Sequence, residues 1–519
     1  MGPKYDQPRS IPLEEIRLRT AASLTRLLAV AALVAVLVFA PRASAQTLTT
    51  AQARQVALWL KQTKRYAPGR WGVAIANQQG DLLWSERAEE SFTPASTVKL
   101  LTTGFGRTKL GGTARLATRV IADGTLDSLT GQWVGPWALE LNGDPTFERA
   151  TREGRSLSEL AQQLAEQGVK RLSGPLRLTS QTGTPDDAYP TTWAPAHWGR
   201  IFAPLVGAVT LNENIVWLTI GPASKKGAAP LLMNSAPEGL NALVSMHART
   251  VAGYRSSLLV RRMADGGFLV TGAIGLHARP RRLVSVSTDP KAVLAEAWAK
   301  ALRDAGIIWD REHRIENGTP SDSGYVLAEV TSATFDTIAT EINTRSLNIG
   351  AELLLRWAAG GSSAGGEELT AHVAEVTGIQ NGAHLVDGSG LSHEDRVTPV
   401  TFISYLAKFP STAAGKNFPM LLPANGEGTL VHLKSGLPAP GVVHAKTGTL
   451  SNVSTLVGYL GRPDGVMLIS LMYNGGRVRT AKRQQWKLFR LLGADGVVIP
   501  SDSTTTDDEP EQLGSEEAR

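Results

Sequence analysis

The sequence predicts an α/β (α+β) domain cut in two by a large, mostly β insertion, and three observations carry the prediction. Apolar residues recur at helical and strand periods in turn over residues 51–110 and again over 334–492. Between about 116 and 320 the texture changes to short strand-like runs separated by Gly, Pro and Asp turns, with helical periodicity confined to about 156–168 and 290–305. The residue sets with chemical capacity fall on the two flanking parts. At 519 residues the chain exceeds one compact domain, and its 42% hydrophobic and 19% charged content supplies an ordinary globular core. The expected division is 46–115 and 321–500 for the two parts of the split domain, with 116–320 forming one or two inserted domains.

The ends read differently. Arg17, Arg19 and Arg26 precede an unbroken apolar run of 14 residues, Leu27 to Ala40, and Ala43-Ser44-Ala45 supplies a small-x-small cleavage pattern. Residues 1–45 are therefore expected to be a secretory signal peptide; the run is short for an uncleaved anchor, the alternative. Residues 501–519 hold seven Asp/Glu and one Arg and read as a disordered acidic tail.

The formal net charge is +6, and residues 1–45 carry six Lys/Arg and three Asp/Glu, which leaves +3 for the rest. That balance argues against a nucleic-acid partner. Arg261, Arg262, Arg279, Arg281 and Arg282 form a local basic cluster that reads as a solvated face, with contact to an anionic polymer as the alternative. With no Cys there are no disulfides and no thiol nucleophile. Nine His without paired ligand spacing give no metal site, and no Gly-rich phosphate loop occurs, so no metal and no cofactor is expected.

Taken in order, residues 51–66 form an amphipathic helix with Ala53, Val56, Ala57 and Leu60 on one face. Trp71–Ala76 and Leu82–Ser85 flank Gln78-Gln79-Gly80-Asp81 as a β-hairpin. Pro94 then stops any preceding helix, and Ser96 opens an apolar run that is helical. After the middle segment, helices are expected at Thr334–Ile342 and Asn348–Trp357, joined by a turn carrying Ser346-Leu347-Asn348. Asp387–Ser392 is a tight glycine loop before a helix at 398–408. Val442–Leu450 is an edge strand, Val453–Leu460 and Val466–Met472 are its partners, and Thr480–Leu492 is a closing helix.

Chemistry enters at three places. Ser96 and Lys99 lie one turn apart on one helix face, a hydroxyl beside an amine that can serve as its base. Ser346 and Asn348 sit where short polar side chains either project into a cleft or cap helices. Lys446, Thr447, Gly448 and Thr449 put a cation, hydroxyls and a glycine on the edge strand, where glycine often marks close approach of a ligand, although Lys446 could equally be a solvated edge residue.

Ser-x-x-Lys, Ser-x-Asn and Lys-Thr-Gly, in that order and in these contexts, resemble the active-site serine penicillin-recognising enzymes, the penicillin-binding proteins and serine β-lactamases. The long separation of Ser96 from Ser346, Ala117–Val120, Gly143-Asp144-Pro145, Ala351-Glu352-Leu353-Leu354, Asp387–Ser392 and Ala445–Leu450 resemble one group. It is the D-alanyl-D-alanine carboxypeptidase/endopeptidase family, the low-molecular-mass class C penicillin-binding proteins (peptidase family S13), over about residues 50–495.

The resemblance implies a penicillin-binding-protein/β-lactamase-like transpeptidase domain with inserted β domains, in the bacterial periplasm or cell envelope. It implies peptidoglycan stem peptides as substrates and β-lactam antibiotics as covalent inhibitors. Ser96 would attack, Lys99 would take its proton, Ser346 would relay a proton to the leaving amine, and Asn348 would orient Lys99 and the substrate amide. Lys446 and Thr447 would hold the terminal carboxylate, and the backbone N–H groups of Ser96 and Thr449, beside Gly448, would form the oxyanion hole. Burial and Lys446 are both expected to lower the Lys99 pKa. His444 faces the Lys446 side of the strand, for packing or for tuning that lysine. A serine β-lactamase and a catalytically silent peptidoglycan-binding protein are the alternatives.

Overall fold

The computed structural model describes residues 47–149, 156–183, 186–319 and 324–501. The expected signal peptide, and the tail apart from Ser501, lie outside the described residues.

A five-stranded antiparallel sheet organises the two parts that flank the middle segment, in the order Leu82–Glu86, Arg70–Ala76, Gly465–Asn474, Val453–Arg462, Val443–Leu450. Strands from before and after the middle segment thus meet inside one sheet. Strand alternation separates two cores. Trp71, Val73 and Ile75 pack with Leu456, Ile469 and Leu471 against the helices Thr50–Tyr66 and Val478–Leu492. Ala74 and Ala76 face the other way, with Val457, Leu468 and Met472, toward Leu101, Phe105, Phe402 and Leu406. The first helix starts at a reciprocal cap: the Thr49 hydroxyl accepts from the Gln52 N–H and the Gln52 amide oxygen accepts from the Thr49 N–H.

The middle segment builds a seven-stranded mixed sheet covered by the helices Leu157–Glu166 and Pro290–Asp304, both at their expected places. Leu160, Leu164, Leu294, Trp298 and Leu302 meet Trp137, Leu172 and Leu178 in its core. Arg171–Thr179 pairs in parallel with Ile308–Asn317, a join that strand patterns alone do not announce. The strand Tyr325–Thr331 runs antiparallel to Ala117–Ala122, so the segments entering and leaving the insertion are hydrogen-bonded neighbours, and this sheet extends past the boundary expected at 320. Smaller sheets follow around Val216, Leu218, Phe268 and Val270. Arg261, Arg262, Arg279, Arg281 and Arg282 are all exposed there, Arg282 lying 4.4 Å over the Trp217 ring.

Between the insertion and the strand Val443–Leu450 the α-helices run Phe335–Arg345, Asn348–Ala358, Gly365–Thr377 and Pro399–Lys408. The third has no counterpart in the sequence reading. Among the described residues no helix is long and apolar enough to cross a membrane.

Candidate active site

Ser96 lies in a 3-10 turn, Ala95–Thr97, and the α-helix starts only at Val98. The expected opening at Ser96 is therefore tighter than α. Side chains claim the carbonyl that an α-turn would use: Pro94 O accepts from Thr97 Oγ1 at 2.7 Å and from Thr455 Oγ1 at 2.6 Å. Ala95 takes a φ of +50°, a left-handed conformation that non-glycine residues adopt only under constraint. Two glycines let neighbouring chain close on this turn. A Cβ on Gly448 would fall 2.1 Å from Thr455 Oγ1, 2.7 Å from Pro94 O and 3.0 Å from Ser96 N, and one on Gly390 would fall 2.0 Å from Ala95 O. The edge strand thus passes directly beside the Ser96 amide.

Lys99 is fully buried, with its Nζ 2.9 Å from Ser96 Oγ, 2.7 Å from Asn348 Oδ1 and 2.5 Å from the Ser389 carbonyl oxygen. Burial brings its pKa down to about 7, opposed by Asp387, Glu352 and Asp395. Lys446, also fully buried, donates to Ser346 Oγ at 3.0 Å and to the Thr447 carbonyl at 2.9 Å. Burial, then Lys99 and Lys482, hold the Lys446 amine well below its ordinary value. Burial and Lys446 were both expected to depress Lys99; burial is the leading cause for each lysine, and charge on either amine disfavours charge on the other.

Ser346 sits at the C-terminal end of Phe335–Arg345 with φ +59°, and Leu347 is the N-cap of the next helix, without a side-chain cap bond. Neither Ser346 nor Asn348 caps a helix with its side chain; both point to lysines. Asn348 Nδ2 donates to the Phe202 carbonyl at 2.8 Å, so the insertion fixes which face of the amide meets Lys99. Thr447 is buried beside Lys446, while Thr449 is exposed at the strand end. His444 Nδ1 lies 3.0 Å from the Leu422 carbonyl oxygen, which ties the ring to a neighbouring loop.

Three buried acids were not expected here. Glu352, four residues after Asn348 on the same helix, accepts from Ser389 N at 2.9 Å and Gly388 N at 3.2 Å. Asp387 accepts from Ser389 N, Gly390 N and Ser392 N. Asp395 accepts from Val386 N at 2.9 Å. They shape the loop whose Ser389 carbonyl meets Lys99. The four-residue spacing from Asn348 was a usable signal for Glu352; Phe202 had none. Among the described residues no His, Asp and Glu group has the makings of a metal site.

The chain is similar to known proteins over most of its length. Residues 52–491 match the D-Ala-D-Ala carboxypeptidase 3 (S13) family. The chain is 28% identical over 425 residues to a D-alanyl-D-alanine carboxypeptidase of Actinomadura sp. (strain R39), covering 78% of this chain and 77% of that one. It is 24% identical to the penicillin-sensitive carboxypeptidase A of Dictyostelium discoideum, over 76% and 80% of the two chains. Its fold is that of penicillin-binding protein 4 from Haemophilus influenzae, with a TM-score of 0.65 at 20% identity, covering 83% of this chain and 98% of that one. The chain belongs to the D-Ala-D-Ala carboxypeptidase 3 (S13) family and is a serine-type D-Ala-D-Ala carboxypeptidase.

Proposed function

We propose that Ser96 is the nucleophile of an exported peptidase that cleaves D-alanyl-D-alanine in peptidoglycan stem peptides, cuts D-alanyl-diaminopimelate cross-links, and is acylated by β-lactams. The carrying observation is the convergence of three distant motifs: Lys99 Nζ reaches both Ser96 Oγ and Asn348 Oδ1, while Lys446 Nζ reaches Ser346 Oγ.

A neutral amine has two N–H donors and one lone pair. Asn348 Oδ1 and the Ser389 carbonyl can only accept, and they take both donors of Lys99. The lone pair is left for the Ser96 hydroxyl, which is the arrangement a general base needs. Lys99 would take the proton as Ser96 Oγ bonds to the D-alanyl carbonyl carbon, giving a tetrahedral oxyanion beside the Ser96 and Thr449 N–H groups. Breaking the C–N bond releases D-alanine, or the cross-linked residue, once its nitrogen receives a proton through Lys99 and Ser346. Water then hydrolyses the Ser96 ester. Burial holds the Lys446 amine below its ordinary value; a substrate carboxylate would raise it again and form a charge-assisted hydrogen bond with it, beside Thr447.

β-Lactam acylation is supported by the family and by the solved complex of the Haemophilus influenzae protein with a novel β-lactam, 21% identical with a TM-score of 0.62. Export is supported by the basic, apolar and small-residue order of residues 17–45. We assign 46–115 and the chain from the end of Tyr325–Thr331 to 500 to the catalytic domain; the insertion between them extends past the boundary expected at 320, through the strand Tyr325–Thr331, by its pairing with Ala117–Ala122. Product analysis on purified fragments tests the reading. A pentapeptide fragment should lose its terminal D-alanine and a cross-linked dimer should fall to monomers. If neither substrate changes, the assignment fails; if only the pentapeptide does, the endopeptidase half fails.

A further inference from the structure

The three buried acids behind Lys99 do not accept hydrogen bonds alike. Glu352 accepts from two backbone N–H groups, one on each oxygen. Asp387 accepts from three backbone N–H groups and lies 3.4 Å from the Ser389 hydroxyl. Asp395, fully buried, accepts from Val386 N through Oδ1 only, and its Oδ2 is buried with no donor. Its carboxyl also lies within hydrogen-bond reach of the Asp387 carboxyl. Two carboxylates cannot share that contact without a proton between them.

We propose that Asp395 is a neutral carboxylic acid in the resting enzyme, donating its proton to Asp387, and that this bond holds the Asp387 loop where the Ser389 carbonyl grips Lys99. Asp395 is then a positioning residue, acting on Ser96 through Asp387, Ser389 and Lys99. The charged groups around it agree. Burial, Asp387 and Glu352 raise its pKa, and the Val386 N–H opposes them. Burial and Asp387 also raise Glu352, to about 7, but both Glu352 oxygens face amide donors and Lys99 is close, so the proton belongs on the acid that faces another carboxylate. Arg396 bonds the main-chain carbonyl of Asp395 at 2.8 Å and leaves its carboxyl uncompensated.

The proposal rests on Lys99 as the base, so the test carries a readout independent of turnover. Asp395→Asn keeps an acceptor for Val386 N and a donor for Asp387 at the same size and charge. It should retain D-alanine release within about threefold and leave the alkaline limb of the rate profile unmoved. Asp395→Leu is neutral but cannot donate, and should lose at least about tenfold with a lowered Tm. The infrared spectrum of the folded wild type at neutral pH should show a carboxylic-acid C=O band that both variants lack. A limb displaced downward by about a unit or more in Asp395→Asn overturns the proposal, because it means that an anion facing Lys99 was removed. Absence of a carboxylic-acid difference band overturns it too. A wild type with no alkaline limb defeats Lys99 as the base but leaves the infrared result to decide the state of Asp395.

Discussion

Lys99→Met should separate catalysis from stability. The Lys99 amine is fully buried and its pKa falls from 10.5 to about 7, which corresponds to about 5 kcal/mol against the charged form. The unfolded chain holds this proton up to the ordinary lysine value, whereas the folded protein holds it only to about 7. Folding therefore releases a proton between those values, and wild-type stability rises with pH across that window and carries the whole cost below it. From about pH 7 to 9 this one group contributes a gain of about 2 kcal/mol. Methionine fills most of the same volume without titrating. It also leaves Asn348 Oδ1 and the Ser389 carbonyl without their donor, worth about 1–3 kcal/mol each, so the absolute change at neutral pH is small. The slope is the decisive quantity. Urea unfolding of both proteins across about pH 7 to 9 should show the wild type gaining about 2 kcal/mol on the variant. Parallel stability curves would refute a depressed Lys99.

Other perturbations have equally definite outcomes. Gly448→Ala places a methyl 2.1 Å from Thr455 Oγ1 and 2.7 Å from Pro94 O, so the strand edge must move from the nucleophile turn. Acylation by a fluorescent penicillin should fall at least about a hundredfold, with a stability loss of about 1–3 kcal/mol by urea unfolding. Asn348→Asp sets a carboxylate 2.7 Å from Lys99 Nζ, which raises the Lys99 pKa and moves the alkaline limb of acylation up by about one to three pH units. Ser346→Ala removes the hydroxyl bonded to Lys446 and should slow D-alanine release by about 10²–10⁴-fold, while the thermal midpoint changes little.

The motifs were legible because each follows a local rule. A turn of helix puts Ser96 and Lys99 together, and an edge strand presents Lys446 and Gly448 whatever lies beyond. The hairpin, the closing helix and both helices of the insertion were readable for the same reason. The helix Gly365–Thr377 was hidden because it opens on two glycines, Gly365 and Gly366, and no side chain caps it. The parallel pairing of Arg171–Thr179 with Ile308–Asn317, and the Phe202 carbonyl on Asn348, join segments over a hundred residues apart and leave no local trace. The acids behind Lys99 were visible as residues, but their role lies in burial, which a turn-rich glycine loop does not advertise. Pro94 announced a helix start, yet the tighter turn depends on Thr455, from the far end of the chain.

The central claim is that Ser96 is made reactive by an adjacent neutral amine. Incubation of the purified protein with penicillin, followed by intact-mass and peptide-mass measurement, tests it most directly. One equivalent of adduct should form on the peptide that contains Ser96, and Ser96→Ala should form none. An adduct that persists in Ser96→Ala, or that maps to another peptide, would contradict the account.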